Sequence, residues 1–203
     1  MPDQASQLKA FLSRTQNRRG RAFDRRVKIA SGDWGTGETI REMARLAAMG
    51  ARDPIIKLKA IDILEGIKGR DQEGIARRFF DWMQDGGSGE RSGVKFVNDA
   101  WHVEQVWAPW MTLTVCGAVD CDDVATTMCS LLLSVGVPCF FRTVKVNPQQ
   151  PDLFSHVYAV ALLKGKKLAL DASVPFTRPG QEPKTKFGVR DWAIETPEED
   201  DRV

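Results

Sequence analysis

The chain has 203 residues, of which 42% are apolar and 28% charged, with a net charge of +2 at neutral pH. These are values of a globular domain long enough to bury one core, and they exclude a highly charged disordered chain. No apolar run approaches the roughly 18 residues of a membrane span and no secretory signal opens the chain, so a membrane partner is not expected.

Charge is spread unevenly. Residues 1–30 hold eight Lys or Arg against Asp3 and Asp24, a net +6, and a basic, flexible arm is expected over residues 1–32. Without interleaved aromatics in that arm, nucleic acid is not expected as a partner. The other end, from residue 191, reads as an acidic tail, with five acids from Glu195 onward against Arg202.

Residues 33–90 read as a helical subdomain. Thr36-Gly37-Glu38-Thr39 can open a helix through Ile40, Met43, Leu46, Ala47 and Met49, stopped by Gly50. Asp53-Pro54 starts a second helix, with Ile55, Ile56, Leu58, Ile61, Ile63, Leu64 and Ile67 mostly on a 3.6-residue period and Gly69 ending it. A third spans Gln72 to Gln84 with Ile75, Phe79, Phe80 and Met83 inward. The glycine-rich stretch from Gly86 to Gly93 is a connector.

Residues 91–190 carry the chemistry. Cys121 sits in Val119-Asp120-Cys121-Asp122-Asp123, directly before the apolar run Val124 to Val135. Asp120 can serve as N-cap, and Gly136-Val137-Pro138 supplies a C-cap glycine with a proline beyond it. A thiol attacks as thiolate, and the first turn of a helix favours negative charge there. Asp122 and Asp123 oppose it by like charge, so an imidazolium close by has to outweigh them. The candidate is His156.

Strands are expected over Phe140–Val146, Ser155–Leu163 and Leu168–Val174, where β-branched and aromatic residues concentrate. A two-residue turn at Lys164-Gly165, or at Gly165-Lys166, puts His156 and Asp171 on one face of the hairpin. With the turn at Lys164-Gly165, His156 lies opposite Ser173 and Asp171 is its diagonal neighbour. A thiol opening a helix, followed by an imidazole and a carboxylate on a hairpin, is the order of parts a cysteine acyl-transfer enzyme needs.

Upstream, three tryptophans crowd Trp101 to Trp110. They either line a groove or pack the base of the helix. Gln105 and Trp107 are candidates for a second oxyanion donor, beside the backbone N–H of Cys121. Cys129 and Cys139 lie inside apolar runs and read as core. Cys116 reads as a core or loop thiol, and His102 as structural. The cysteine spacings match neither a zinc ribbon nor a disulfide framework, so synthesis in a reducing cytosol is expected.

Asp-Cys-Asp-Asp before a Leu-rich helix, Gly136-Val137-Pro138, an Arg-containing strand, Phe154-Ser155-His156-Val157-Tyr158 and Leu170-Asp171-Ala172 together resemble the transglutaminase-like superfamily of papain-related cysteine folds. More narrowly, they are similar to the small transglutaminase-like proteins of tailed bacteriophages and prophages. The resemblance covers residues 94–176, and 33–90 more weakly. It implies an α+β fold with the nucleophile helix packed on an antiparallel sheet. It also implies Cys121 as nucleophile, His156 as general base and acid, and Asp171 as the group orienting His156. Relatives usually have glycine where Val119 stands, and the Gly-Gln-Cys-Trp context of calcium-dependent transglutaminases is absent. Peptidase or amidase action is therefore expected over transamidation, with no metal or organic cofactor. A protein or peptide is the expected substrate and phage structural proteins are further expected partners, in the bacterial host cytoplasm or the virion. The alternative is a non-catalytic phage structural or assembly protein reusing the fold.

Overall fold

A computed structural model describes residues 32–85, 105–114, 119–184 and 186–195. The basic arm, the glycine-rich connector, the acidic tail beyond residue 195, Trp101, His102 and Cys116 lie outside the described residues. The architecture is α+β. Five helices, α1 (Gly32–Arg52), α2 (Pro54–Ile63), α3 (Gln72–Asp85), α4 (Pro109–Thr114) and α5 (Cys121–Ser134), gather on a four-stranded antiparallel sheet. Its strands are β1 (Cys139–Lys145), β2 (His156–Leu163), β3 (Lys166–Leu170) and β4 (Gly188–Ala193), in the order β3-β2-β1-β4. Among the described residues no helix is long and apolar enough to cross a membrane.

α5 is the centre. Every residue from Asp122 to Leu132 is buried, because α1, α2, α3 and α4 flank it on one side and β1 and β2 on the other. Helices and sheet share one apolar core, from Met43 and Phe79 through Met128 and Leu132 to Phe141 and Ala159. The helical region is thus not a separately packed unit. α5 ends as its sequence indicates. Gly136 takes φ +76°, Val137 N–H bonds Leu132 O at 2.9 Å and Gly136 N–H bonds Leu133 O at 3.1 Å, a Schellman closure.

Other boundaries differ from expectation. α1 starts at Gly32, before Thr36, and runs through Gly50 to Arg52. Gly50 stays helical because a bare backbone is what lets α1 approach α5. A Cβ there would sit 2.6 Å from Ser130 Oγ, 3.0 Å from Pro109 Cγ and 3.1 Å from Ser130 Cβ. Asp53 ends α1's course and opens α2, its Oδ1 accepting Ile55 N–H at 2.8 Å with Pro54 at the first helical position. α2 stops at Ile63, short of Gly69, and Leu58, Ile61 and Met49 are exposed, off the core stripe. Gly50→Ala is expected to lower stability by about 1–3 kcal/mol through overpacking, despite alanine's better helix propensity. Urea unfolding measures it; an unchanged midpoint would show that the crossing can give way without cost.

Candidate active site

The β2–β3 hairpin turns through Lys164-Gly165, with Gly165 at φ +76° and Leu163 paired to Lys166. That register continues to Ala159–Leu170 and carries Asp171 to the level of Tyr158. β3 itself stops at Leu170, so Asp171 to Val174 form a turn where the sequence suggests strand. Asp171 is 2% exposed. Its Oδ2 lies 2.8 Å from His156 Nε2, and its Oδ1 accepts the Ser173 hydroxyl at 2.9 Å. With an ionised carboxylate as acceptor, the ring proton sits on Nε2 and Nδ1 is left as the basic nitrogen. The His156 side chain is 12% exposed and its ring stands 5.9 Å, centroid to centroid, from that of Tyr158.

The turn after Asp171 is tied down from two directions. Thr177 Oγ1 donates to Asp171 O at 2.7 Å, and Gln84 Nε2, at the end of α3, reaches both Val174 O and Thr177 Oγ1. Ser173 carries a sequence signal, two residues beyond Asp171. Gln84 carries none, being 87 residues distant along the chain from Asp171.

Cys121 is the first residue of α5, half-buried against the core. Asp120 occupies the N-cap position with extended backbone, yet its side chain makes no capping bond. Instead Asp122 Oδ1 accepts Asp123 N–H at 2.7 Å, and Asp123 Oδ1 accepts the Trp107 backbone N–H at 2.6 Å. Trp107 therefore stands beside the first turn of α5, but its main-chain donor is already used. An oxyanion contact from it falls to the indole. Gln105, two residues before it, is exposed. Cys129 and Cys139 are buried as expected; burial, with Cys139 alongside, pushes the Cys129 thiol well up.

The topology determines which end of the sheet α5 addresses. Fourteen helical residues span about 21 Å and the seven of β1 about 20 Å. The short link through Gly136 reverses the chain, so β1 runs back alongside α5 and, by length, its last residues Val144 and Lys145 return toward the level of Cys121. Val144 pairs with His156. By element length, then, the start of α5 lies toward the end of the sheet that carries the His156–Asp171 pair.

Strand phase sets a condition on that proximity. Val157, Ala159, Ala161 and Leu163 face the core of α5, whereas Val144, Tyr158 and Val160 form a second cluster on the other face. His156 and Asp171 have the phase of the second cluster. An imidazole of that phase meets the start of α5 only round the end of the sheet, and His156 is the terminal residue of β2.

The second face is covered by the β3–β4 connection. Gly180 N–H bonds Ala169 O, Glu182 pairs with Arg142, and Phe187 N–H bonds Lys145 O. Comparison with protein-family models, curated proteins and solved structures finds no match to this chain.

Proposed function

We propose that the chain is a cysteine-dependent acyl-transfer enzyme of transglutaminase-like type, acting as a peptidase or amidase on a protein or peptide amide. The observation that supports this reading most is the buried Asp171 carboxylate, 2.8 Å from His156 Nε2, in a chain where Cys121 is the first residue of α5. In the reaction, His156 takes the Cys121 proton and the sulfur attacks the amide carbon. A C–S bond forms as the carbonyl electron pair moves onto oxygen. The first-turn N–H of Cys121 supplies a donor to that oxygen. Collapse breaks the C–N bond, His156 gives its proton to the leaving amine, and a thioester remains. Water, deprotonated by His156, then releases a carboxylic acid and restores the thiol. As written, the sequence of steps uses no metal or organic cofactor. Phage or prophage origin, phage structural partners, and the host cytoplasm or virion as location belong to the same reading.

A second reading, a non-catalytic structural or assembly protein on this scaffold, is favoured by one observation: His156 and Asp171 share the phase of Tyr158 and Val160 rather than that of the α5 core. There the pair would simply tie β2 to the turn after β3.

Alkylation of Cys121 by iodoacetamide, followed against pH and located by peptide mass, separates the two. The catalytic reading expects an apparent thiol pKa below the free value of about 8.5, and a rate near neutrality about tenfold lower in His156→Ala. A value at or above 8.5 that His156→Ala leaves in place gives the scaffold reading the stronger claim.

A further inference from the structure

We propose that the surface shared by the first turns of α1 and by β4 binds single-stranded nucleic acid. The basic arm alone argues against such a partner, because its cations have no aromatics between them. The fold supplies the aromatics. Trp34 is 69% exposed in the first turn of α1, and the Arg41 guanidinium, two turns on, lies 5.9 Å from its ring centroid. Across the gap, Arg190 stands 3.9 Å over the ring of Trp192 on β4. Gly37 joins the two pairs: a Cβ there would lie 3.6 Å from Arg41 Nη1 and 3.8 Å from Trp192 Cη2. The tip of one guanidinium and the edge of the other indole therefore border the same bare stretch of helix.

This platform is held in place. Trp192 Nε1 donates to Thr143 Oγ1 at 2.9 Å, which anchors its ring against β1. Arg41 and Arg190 are exposed, and neither forms an ion pair with a described carboxylate, unlike Arg45 with Glu42 or Arg142 with Asp191. One exposed indole face, that of Trp34, and two available guanidiniums, one of them stacked on Trp192, suit a stacked base joined to its neighbours by phosphates. Duplex DNA keeps its bases inside and cannot use an exposed Trp34 in this way.

Charge supports the assignment. The net +6 of residues 1–30 joins the chain at α1, directly before Trp34, and it exceeds the net −4 that follows β4 from Glu195. Asp33 and Glu38 cancel that difference of two charges, and Arg41 and Arg190 restore it at the surface itself, since Glu42 is paired with Arg45 and Asp191 with Arg142.

Fluorescence anisotropy of a fluorescein-labelled oligothymidine of about 20 nucleotides, titrated with the full chain, tests the proposal. Affinity is expected to fall with added salt, and the corresponding duplex is expected to bind more weakly. The double variant Trp34→Ala/Arg41→Gln, both positions being exposed, is expected to bind about tenfold more weakly with an unchanged circular dichroism spectrum. Parent-like affinity in that variant overturns the proposal. So does a polyglutamate peptide that competes as well as the oligonucleotide, which would identify an acidic protein as the better occupant.

Discussion

Asp171→Asn is expected to lower kcat/KM on a cleaved peptide amide by about 10³–10⁴-fold while leaving the fold intact. The asymmetry comes from what an amide can and cannot replace. Asp171 accepts on both oxygens, from His156 Nε2 and from Ser173 Oγ. The Ser173 hydroxyl can rotate and accept instead, so that contact survives. The imidazole has no such freedom. If the amide nitrogen faces it, Nε2 must become the acceptor and the proton moves to Nδ1, which removes the basic nitrogen the thiol requires. If the amide oxygen faces it, the negative charge that stabilises the imidazolium is still lost. The alkylation rate of Cys121 near neutral pH should fall along with turnover. Ser173→Ala leaves the carboxylate in place and should cost about tenfold or less. An Asn variant that turns over as fast as the parent would remove Asp171 from the mechanism altogether.

The hairpin bearing His156 and Asp171 was legible because its register depends on local chemistry. Gly165 can take positive φ, a two-residue turn follows, and period two places both side chains on one face. Which face α5 would cover was not legible. β2 runs Val157, Tyr158, Ala159, Val160, Ala161, apolar on both sides and buried on both, so its sequence carries no sign of inside and outside. β4 was missed, and it runs across residue 190, where the sequence suggested the start of the acidic tail. Its exposed Val189, Arg190 and Asp191 follow no alternation; pairing with β1 makes it a strand. The early start of α1 was hidden by Gly32, Gly35 and Gly37, poor helix formers in isolation. Two of those, Gly35 and Gly37, are buried in the folded chain, a tertiary circumstance that no local window contains.

Arg142→Met should test how the covered second face is held, and here pH gives the sign. Arg142 is 13% exposed and makes bonds of 2.6 and 2.9 Å to the two oxygens of Asp191, and one of 2.6 Å to Glu182. Lys167 adds a bond to Asp191, and Lys186 one to Glu182. Hydrogen bonding to Arg142, then to Lys167, holds the Asp191 carboxyl below its usual range. Burial pushes Glu182 up, but Lys186 and Arg142 outweigh it and the net shift is also downward. Depressed folded-state values mean stabilisation that is complete above the ordinary carboxyl range, near pH 4, and is lost as pH falls through the lower folded values. Methionine matches the stem of arginine but leaves two carboxylates without their shared cation. A fully dry pair would cost about 3–5 kcal/mol when broken, and because Asp191 is a third exposed the expected loss at pH 7 is about 2–3 kcal/mol. The deficit should shrink as the solution is taken from pH 7 toward about pH 3, since protonated partners no longer need the guanidinium. Urea midpoints across that range measure both quantities. Glu182 ties the chain after β3 to Arg142, and Gly180 N–H bonds Ala169 O on the strand that leads into Asp171, so Arg142→Met should also loosen the grip on His156 and slow the Cys121 thiol at neutral pH. A stability loss that stays constant down to acid would mean that Arg142 acts there by packing rather than by charge, and the network would then have no hold on the site.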